Sequence, residues 1–237
     1  MATFRAGSFL VGHNDQILYV FRMNRRSTGS PPVWICGEQE CHEGTYLLLI
    51  RLQSGARLSF GRFQGGRPIA LEAGNYIYTG SAMGSRPGSR PLAARLLRHA
   101  SRSGNRPAHA LRRILLREFR RQELASPATR LPRGKTLRWH IDYLLDHRQV
   151  RLAGAVAIRS TERLESHISR FLEALPCSSI PVRGLGAADM PGETHLVRLN
   201  DPESCMAALG EQLQKLGVHR SHIFPISALT NFERSKI

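Results

Sequence analysis

Apolar positions along the chain follow two different periods, which predict strands and helices in mixed order. Residues 46–50 are apolar at every position, which is typical of a central strand covered on both faces. Apolar stripes at helical spacing predict a helix from Pro91, with Leu92, Leu96 and Leu97 on its inner face. Further strands are predicted at 58–63, 74–79, 150–158 and 195–199, and further helices at 108–124, 137–145, 160–175 and 201–216. This order predicts an α+β fold, with a small and mostly antiparallel sheet flanked by helices.

The boundaries of the predicted helix near residue 165 depend on its capping residues. Ser160 or Thr161 is the expected N-cap, and Glu162 stands where an acid favours the first turn of a helix. Glu165 lies at the edge of the apolar stripe, so its carboxylate is expected to be half sheltered.

Turn residues divide the chain into three predicted parts. Residues 1–43 are interpreted as an appendage, with a hairpin at 9–21 followed by a Ser/Gly/Pro/Arg linker at 24–32. Residues 44–199 form the main domain, within which the arginine-rich stretch 101–135 is interpreted as a basic helical insertion. Residues 200–237 are expected to form a C-terminal helix and a tail.

The charge of the chain predicts that the protein has a polyanionic partner. The 237 residues carry a formal net charge of +16. Between residues 84 and 138 there are 15 Lys or Arg against two Glu, so most of the excess lies there. A concentration of this kind predicts nucleic-acid binding. The sequence has no run of 19 apolar residues and no signal-peptide pattern at Met1, which predicts a cytoplasmic protein without a membrane partner. Four cysteines are too few for a disulfide scaffold.

Tyrosines and cations converge on one predicted place. Tyr46 lies near the start of one predicted strand and Tyr78 near the end of another, and the helix from Pro91 follows the second strand directly. Its positions 95, 98, 99 and 102 are spaced i, i+3, i+4 and i+7, so one side of the helix carries Arg95, Arg98, His99 and Arg102. Hydroxyl groups beside guanidinium groups are chemistry suited to a phosphate.

Seven short segments in order resemble the GIY-YIG nuclease superfamily. They begin with Gly44-Thr45-Tyr46, Tyr78-Thr79-Gly80-Ser81-Ala82 and Arg95-Leu96-Leu97-Arg98-His99. Further matches follow at 139–145, 164–165, 184–186 and 194–196. The likeness is greatest to the prokaryotic branch catalogued as a domain of unknown function and sometimes fused to endonuclease III. The separation of the two tyrosines, Thr45 and Thr79 in place of isoleucine, and the insertion depart from the typical members.

The resemblance implies phosphodiester hydrolysis at one divalent metal ion. In that interpretation Tyr46 receives the proton of the attacking water, Tyr78 is oriented towards the phosphate, and Arg95 is the helical arginine of such sites. Glu165 is the implied ligand of Mg²⁺ or Mn²⁺, and either His99 or His140 is the accessory histidine. Asp142 is interpreted as a structural hydrogen-bonding partner and Trp139 as a core residue.

The residue chemistry agrees with these implied roles. A pentacoordinate phosphate gains negative charge, which a guanidinium meets with two parallel hydrogen bonds. One carboxylate together with waters is a shell that Mg²⁺ accepts. An unperturbed tyrosine has a pKa of about 10, so Tyr46 needs a neighbour that takes its proton or lowers its pKa.

Two functions remain in competition at this stage. The first is a metal-dependent endonuclease, with DNA favoured over RNA, whose arginines hold the nucleic-acid backbone. The arginines expected to do so are Arg98, Arg102, Arg112, Arg113, Arg117, Arg120 and Arg121. The second is a nucleic-acid-binding or adaptor subunit of a DNA-processing or RNA-guided complex with little cleavage activity of its own. It would dock on a protein partner through the N-terminal hairpin or the tail around residues 223–225.

Overall fold

The computed structural model describes residues 32–84, 86–186 and 193–218. The predicted N-terminal hairpin at 9–21 and the tail around 223–225 lie outside the described residues, as does the end of the predicted domain 200–237. Within the described ranges there are eight strands: β1 (Val33–Gly37), β2 (Gly44–Leu52), β3 (Ala56–Leu58), β4 (Ile69–Leu71), β5 (Gly74–Ala82), β6 (Val150–Arg159), β7 (Ser178–Ser179) and β8 (Leu196–Leu199).

Six of these strands form one sheet in the order β1-β6-β2-β5-β8-β7. Only β1 and β6 run parallel; the other neighbouring pairs in this sheet are antiparallel. The strands β3 and β4 make a separate two-stranded ladder. The predicted α+β class with a mostly antiparallel sheet is confirmed. Strand β1 was not predicted, although it lies within the segment interpreted as an appendage.

The described residues form five α-helices that cover both faces of the sheet. They are α1 (Pro91–His99), α2 (Leu111–Arg121), α3 (His140–Asp146), α4 (Glu165–Ala174) and α5 (Pro202–Lys215). Side chains alternate along β2, so Tyr46 and Leu48 pack in the layer of α1, α2 and α3. Leu47 and Leu49 pack in the layer of α4 and α5. This alternation explains why residues 46–50 are apolar at every position. In this part of the chain, no helix is long and apolar enough to cross a membrane.

Two predicted elements differ from the structure. The strand expected at 58–63 is wrong, because β3 ends at Leu58 and a single 3₁₀ turn follows at Phe63–Gly66. Gly61, inside the predicted strand, has a positive φ angle of 64°, which strand geometry does not accommodate. The expected cap at Ser160 or Thr161 is also wrong, since α4 begins at Glu165. Its start is held by a tertiary contact, in which the Leu164 N–H donates to Thr45 Oγ1 at 3.0 Å.

One pair of cysteines links the loop before β7 to helix α5. Cys177 and Cys205 form a disulfide, with their Cα atoms 5.8 Å apart. Cys36 and Cys41 are free thiols. Four cysteines are too few for a disulfide scaffold, as expected from the sequence, but this single bond was not predicted.

Candidate active site

The two tyrosines lie together at the end of the sheet where β2 begins and β5 ends. Their ring centroids are 6.4 Å apart, and both residues are almost fully buried. Tyr46 pairs with Gly80 across the β2–β5 ladder, and its ring lies over that glycine. The long separation of the tyrosines in sequence is therefore bridged by direct strand pairing.

Tyr46 is hydrogen-bonded to the last residue of helix α1. Its phenol oxygen lies 2.8 Å from Nε2 of His99. On the other side of the imidazole ring, Nδ1 of His99 lies 3.4 Å from Oδ1 of Asp142 in helix α3. The three residues form a Tyr–His–Asp series in which all three side chains are buried. An anionic Asp142 favours a proton on Nδ1, which leaves Nε2 free to accept from the Tyr46 hydroxyl.

Asp142 is surrounded by donors. Arg98 binds it with two hydrogen bonds of 3.0 and 2.9 Å, and the backbone N–H groups of Arg138 and Trp139 donate to the same carboxylate. The buried ammonium of Lys135 lies 3.5 Å from Oδ1. Burial acts to raise the pKa of Asp142, but these donors and the neighbouring cations outweigh it and hold the pKa well below its ordinary value. Asp142 therefore stays anionic.

Burial sets the resting protonation states of this series. It raises the pKa of Tyr46 above its ordinary value, which Arg95 opposes and the carboxylate of Glu165 reinforces. Burial also raises the pKa of Tyr78 well above its ordinary value. It lowers the pKa of His99 to about 4, although Asp142 acts in the opposite direction. At neutral pH both phenols are protonated and His99 is neutral.

Arg95 is a partly exposed residue next to the buried tyrosines. It is half-buried in the second turn of α1, and against the larger effect of burial its positive charge acts to lower the pKa of the Tyr46 phenol. The guanidinium carbon lies 4.1 Å from the ring centroid of Trp139, within the range of a cation–π contact. The same ring lies 4.2 Å from the guanidinium carbon of Arg98. Trp139 is thus partly exposed and packs against two arginines rather than lying in the core.

Glu165 approaches the cluster from the opposite helical layer. It is the first residue of α4 and is only 3% exposed. The hydroxyl of Ser81 donates to its Oε2, and Nδ1 of His195 lies 3.0 Å from its Oε1. Burial raises the pKa of both tyrosines, and the negative charge of Glu165 acts in the same direction. Glu165 is more deeply buried than the sequence predicted.

His195 is held between two carboxylates. Its Nε2 lies 3.0 Å from Oε2 of Glu193, and its Nδ1 contacts Glu165. Burial acts to lower the pKa of His195, but the two glutamates together outweigh it and raise the pKa above its ordinary value. A protonated His195 fixes the orientation of Glu165 by charge as well as by position.

The structure separates the two candidate histidines. His99 contacts Tyr46, whereas the ring of His140 packs against Phe63 with their centroids 5.0 Å apart. Burial lowers the pKa of His140, and the Gly186 carbonyl opposes the shift. Of the two, only His99 is positioned to accept a proton from Tyr46.

The predicted nucleic-acid-binding arginines fall into two groups, of which the first is directed into the fold. Arg98 binds Asp142, as described above. Arg102 donates to the Val150 carbonyl at 2.6 Å, and Arg112 donates to the Pro132 carbonyl at 2.9 Å. These three side chains are engaged within the fold, which reduces the number of donors that they could offer to a phosphate.

The second group lies on the exposed face of α2. Arg117 and Arg121 both bind Glu118 but keep 67% and 59% of their side-chain surface exposed. Arg120 donates to the Thr129 carbonyl, and Arg113 is exposed. Helix α2 ends near the same end of the sheet as the tyrosines, because the Arg159 side chain of β6 donates to the Gln122 carbonyl directly after α2. This face can contact a polyanion that reaches the candidate active site.

The donor set at Glu165 fits a hard divalent cation. Within the described ranges, no group of three or more His, Cys, Asp and Glu residues could hold a metal ion. Mg²⁺ does not need one, because it is commonly held by one or two carboxylates and keeps several waters. A carboxylate has about four acceptor positions, and Ser81 and His195 use two of those of Glu165. Glu165 therefore retains acceptor positions for a cation, with the Ser81 hydroxyl as a further oxygen nearby.

Several members of the cluster were not predicted as site residues. Asp142 was interpreted as structural, and no role was assigned to Lys135, Ser81, Glu193 or His195. Lys135 lies in the arginine-rich stretch, where its burial has no signal in the sequence. His195 was readable only as part of the Thr194-His195-Leu196 match.

Taken together, the fold and the cluster define an α+β protein with a buried Tyr–His–Asp series next to an arginine and a carboxylate. Residues 45–218 match the family described as "Domain of unknown function DUF123". The match spans more than half of the chain and includes helix α5, so the chain belongs to this family. The family description assigns no activity. No curated protein and no solved structure matched the chain. The predicted membership of a family of unknown function is confirmed, while the resemblance to GIY-YIG nucleases stays a prediction.

Proposed function

We propose that the protein is a GIY-YIG-type endonuclease that hydrolyses phosphodiester bonds of nucleic acid, with DNA as the favoured substrate, in the cytoplasm. The observation that carries the proposal is the buried hydrogen bond of 2.8 Å between Tyr46 and His99, with Arg95 beside the same phenol. A buried hydroxyl that has a proton acceptor on one side and a phosphate-binding cation on the other suits water activation at a phosphate.

Tyr46 serves as a proton relay rather than as a resting phenolate. Because burial raises its pKa, the phenol keeps its proton until a water molecule attacks the phosphate. The phenol oxygen then accepts a proton from that water while its own proton moves to Nε2 of His99. The imidazolium that forms is stabilised by Asp142, which lies 3.4 Å from Nδ1. Arg98 and Lys135 keep Asp142 anionic for that task.

Arg95 and Glu165 complete the proposed site from two sides. The Arg95 guanidinium binds the phosphate and offsets the negative charge that develops in the transition state. Glu165 would hold Mg²⁺ or Mn²⁺ at the acceptor positions that Ser81 and His195 leave open. The bound ion would supply Lewis-acid stabilisation of the phosphate oxygens.

Plasmid nicking with purified protein tests this proposal. With Mg²⁺ or Mn²⁺, wild-type protein is expected to convert supercoiled plasmid to open circles, and EDTA is expected to stop the reaction. Glu165→Gln keeps the size of the side chain and is expected to abolish nicking while DNA binding persists. Glu162→Gln removes an exposed acid just before the same helix and serves as the matched control. Cleavage by Glu165→Gln at the wild-type rate would refute the metal-binding role.

A second candidate is a nucleic-acid-binding or adaptor subunit with little cleavage of its own. It is favoured by the enclosure of Glu165, which is 3% exposed and engaged at both oxygens. A carboxylate in this state holds its neighbours together whether or not it binds a cation. This function predicts salt-sensitive DNA binding and no nicking by the isolated chain, with co-purification of a protein partner. Nicking by the pure chain would exclude it.

A further inference from the structure

A cleft on the outer surface of helix α4 carries chemistry that the proposed site does not use. This cleft, called the α4–α5 cleft below, has a volume of about 600 Å³. It is lined by residues of α4, by Arg163 ahead of that helix, and by one residue of α5. The lining consists of Arg163, Ser166, His167, Arg170, Phe171 and Gln212. None of these six lining residues is acidic, and all but Phe171 can donate a hydrogen bond.

The cations of the cleft are spaced for more than one phosphate. Arg163 lies two residues before the helix, and Arg170 lies in its second turn, seven positions further on. The five helical steps from Glu165 to Arg170 alone rise about 7.5 Å, and Arg163 lies beyond the start of the helix. A nucleic-acid strand places a phosphate about every 3.4 Å along a duplex axis, so both guanidinium groups can contact one strand. His167 lies between them and is hydrogen-bonded to Gln212 across the cleft.

The cleft is directly connected to the candidate metal ligand. Arg170 lies 3.3 Å from Oε1 of Glu193, whose other oxygen contacts His195. His195 in turn contacts Glu165, and Ser166 also donates to Glu193 at 2.8 Å. The side chain of Arg170 is 77% exposed, so its contact with Glu193 leaves further donors open to solvent. A strand lying in this cleft is thus adjacent to the site at Glu165.

A second cleft shows that concave surface on this protein is not uniformly basic. It has a volume of about 360 Å³, and its lining includes Glu38, Glu40 and Glu43. Phosphates are repelled there, whereas the α4–α5 cleft attracts them. The exposed arginines of α2 lie in the helical layer on the opposite face of the sheet. The positive charge of the α4–α5 cleft therefore comes from its own arginines and not from those of α2.

We propose that the α4–α5 cleft binds the backbone phosphates of a nucleic-acid strand, as a second contact surface for the substrate of the proposed nuclease. The proposal extends that function by adding a binding site for the same substrate. Binding can be measured without cleavage, so the two proposals can fail independently.

The test measures the salt dependence of DNA binding by fluorescence anisotropy in EDTA, with the double variant Arg163→Gln/Arg170→Gln. The binding constant K falls as salt rises, and each lost phosphate contact reduces the steepness of log K against log salt concentration by about 0.7 for a single strand and about 0.9 for a duplex. The double variant is therefore expected to lower the slope by about 1.4 or about 1.8. Arg57→Gln/Arg148→Gln removes the same charge from exposed positions at the other end of the sheet and is the matched control. It is expected to leave the slope unchanged.

The other outcomes are equally decisive. An equal slope in the cleft variant and the control variant would overturn the proposal. Saturable binding of AMP that the cleft variant loses, with an unchanged slope for DNA, would assign the cleft to a small phosphorylated ligand and also overturn it. A reduced slope in a protein that nicks no plasmid would support the cleft and refute only the nuclease assignment.

Discussion

The ring of Tyr46 occupies the space in which a side chain at position 80 would lie. A Cβ built on Gly80 would stand 2.5 Å from the Tyr46 phenol oxygen and from its ring carbon Cζ, which is far inside van der Waals contact. The two residues are paired across the β2–β5 ladder. Position 80 therefore requires a glycine, because a side chain there would occupy the space in which the Tyr46 ring packs against β5.

Gly80→Ala is expected to displace the Tyr46 ring and weaken its hydrogen bond to His99. Overpacking of this kind costs about 1–3 kcal/mol of unfolding free energy. Urea unfolding followed by circular dichroism measures the cost. Gly134→Ala is the control, because the atom nearest to its added Cβ is 3.6 Å away, an ordinary contact. Equal stability of the two variants would contradict the close seating of the ring.

Tyr46→Phe is expected to keep the fold and lose cleavage. The variant removes the hydroxyl that the proposed relay needs, and loss of positioned proton transfer costs roughly 100-fold or more in rate. Tyr76→Phe is the matched control, since its hydroxyl donates only to the Glu72 carbonyl, four residues away in sequence. Single-turnover cleavage of a labelled DNA measures both. If the two variants cut equally fast, Tyr46 has no role in proton transfer.

The half of the site on β2, β5 and α1 could be predicted because local periodicity determines it. An apolar strand orients Tyr46, and spacing of four residues places Arg95 and His99 on one side of a helix. Strand pairing brings the two tyrosines together, and α1 packs on the same face of the sheet, where His99 contacts the Tyr46 phenol. These positions depend on contacts that repeat along each element.

The environment of Glu165 could not be predicted because it depends on contacts between distant segments. Ser81 from β5 and His195 from the segment before β8 bury its carboxylate. The start of α4 is likewise held by Thr45, 119 residues away in sequence, which overrode the expected cap at Ser160. The sequence pattern of a helix does not indicate which distant segments will contact it.

Two buried histidines are expected to make the protein less stable in mild acid. Burial lowers the pKa of both His99 and His109 to about 4. His109 also accepts from the Leu152 N–H at Nδ1, which requires its neutral form. Between pH 6.5 and pH 4 the unfolded chain binds protons at these residues and the folded chain does not, so stability falls as the pH falls through this window. Each residue contributes up to about 3 kcal/mol.

The variant His109→Asn tests the share of one histidine. Its side-chain oxygen can keep the acceptor near the position of Nδ1 without a group that titrates in this range. Unfolding free energies measured from pH 7 to pH 4 are expected to show a flatter dependence than in the wild type. His167→Asn, at an exposed position, should leave the wild-type slope in place. An unchanged slope in His109→Asn would mean that His109 is already charged in the folded protein.

Lys135→Met is expected to raise the pKa of His99 with little loss of stability. Burial lowers the pKa of Lys135 itself to about 8, and the Lys135 charge is one of the causes that lower the pKa of His99. Asp142 keeps Arg98 and two backbone donors in this variant, so it is not left unpaired. Removing one partner of a buried ion pair is strongly destabilising when it leaves the other charge uncompensated, which these remaining donors to Asp142 prevent.

Histidine NMR titration is the direct measurement for Lys135→Met. The His99 resonances should titrate at a higher pH than in the wild type, and those of His109 should move less. The exposed Lys215→Met removes one positive charge elsewhere and should change neither. An unaltered His99 titration would show that Lys135 serves packing alone.

Trp139→Leu is expected to weaken substrate binding by releasing Arg95. The guanidinium carbon of Arg95 lies 4.1 Å from the Trp139 ring centroid, and a contact of this kind is worth about 0.5–2 kcal/mol. Loss of that energy predicts a rise in KM of about twofold to thirtyfold, with a smaller change in kcat. Trp139→Phe retains an aromatic face and should recover most of the affinity. Because Arg98 packs on the same ring, the His99 titration is measured in parallel, and an unchanged His99 pKa attributes the KM effect to Arg95. Equal KM values for the Leu and Phe variants would show that the aromatic face does not position Arg95.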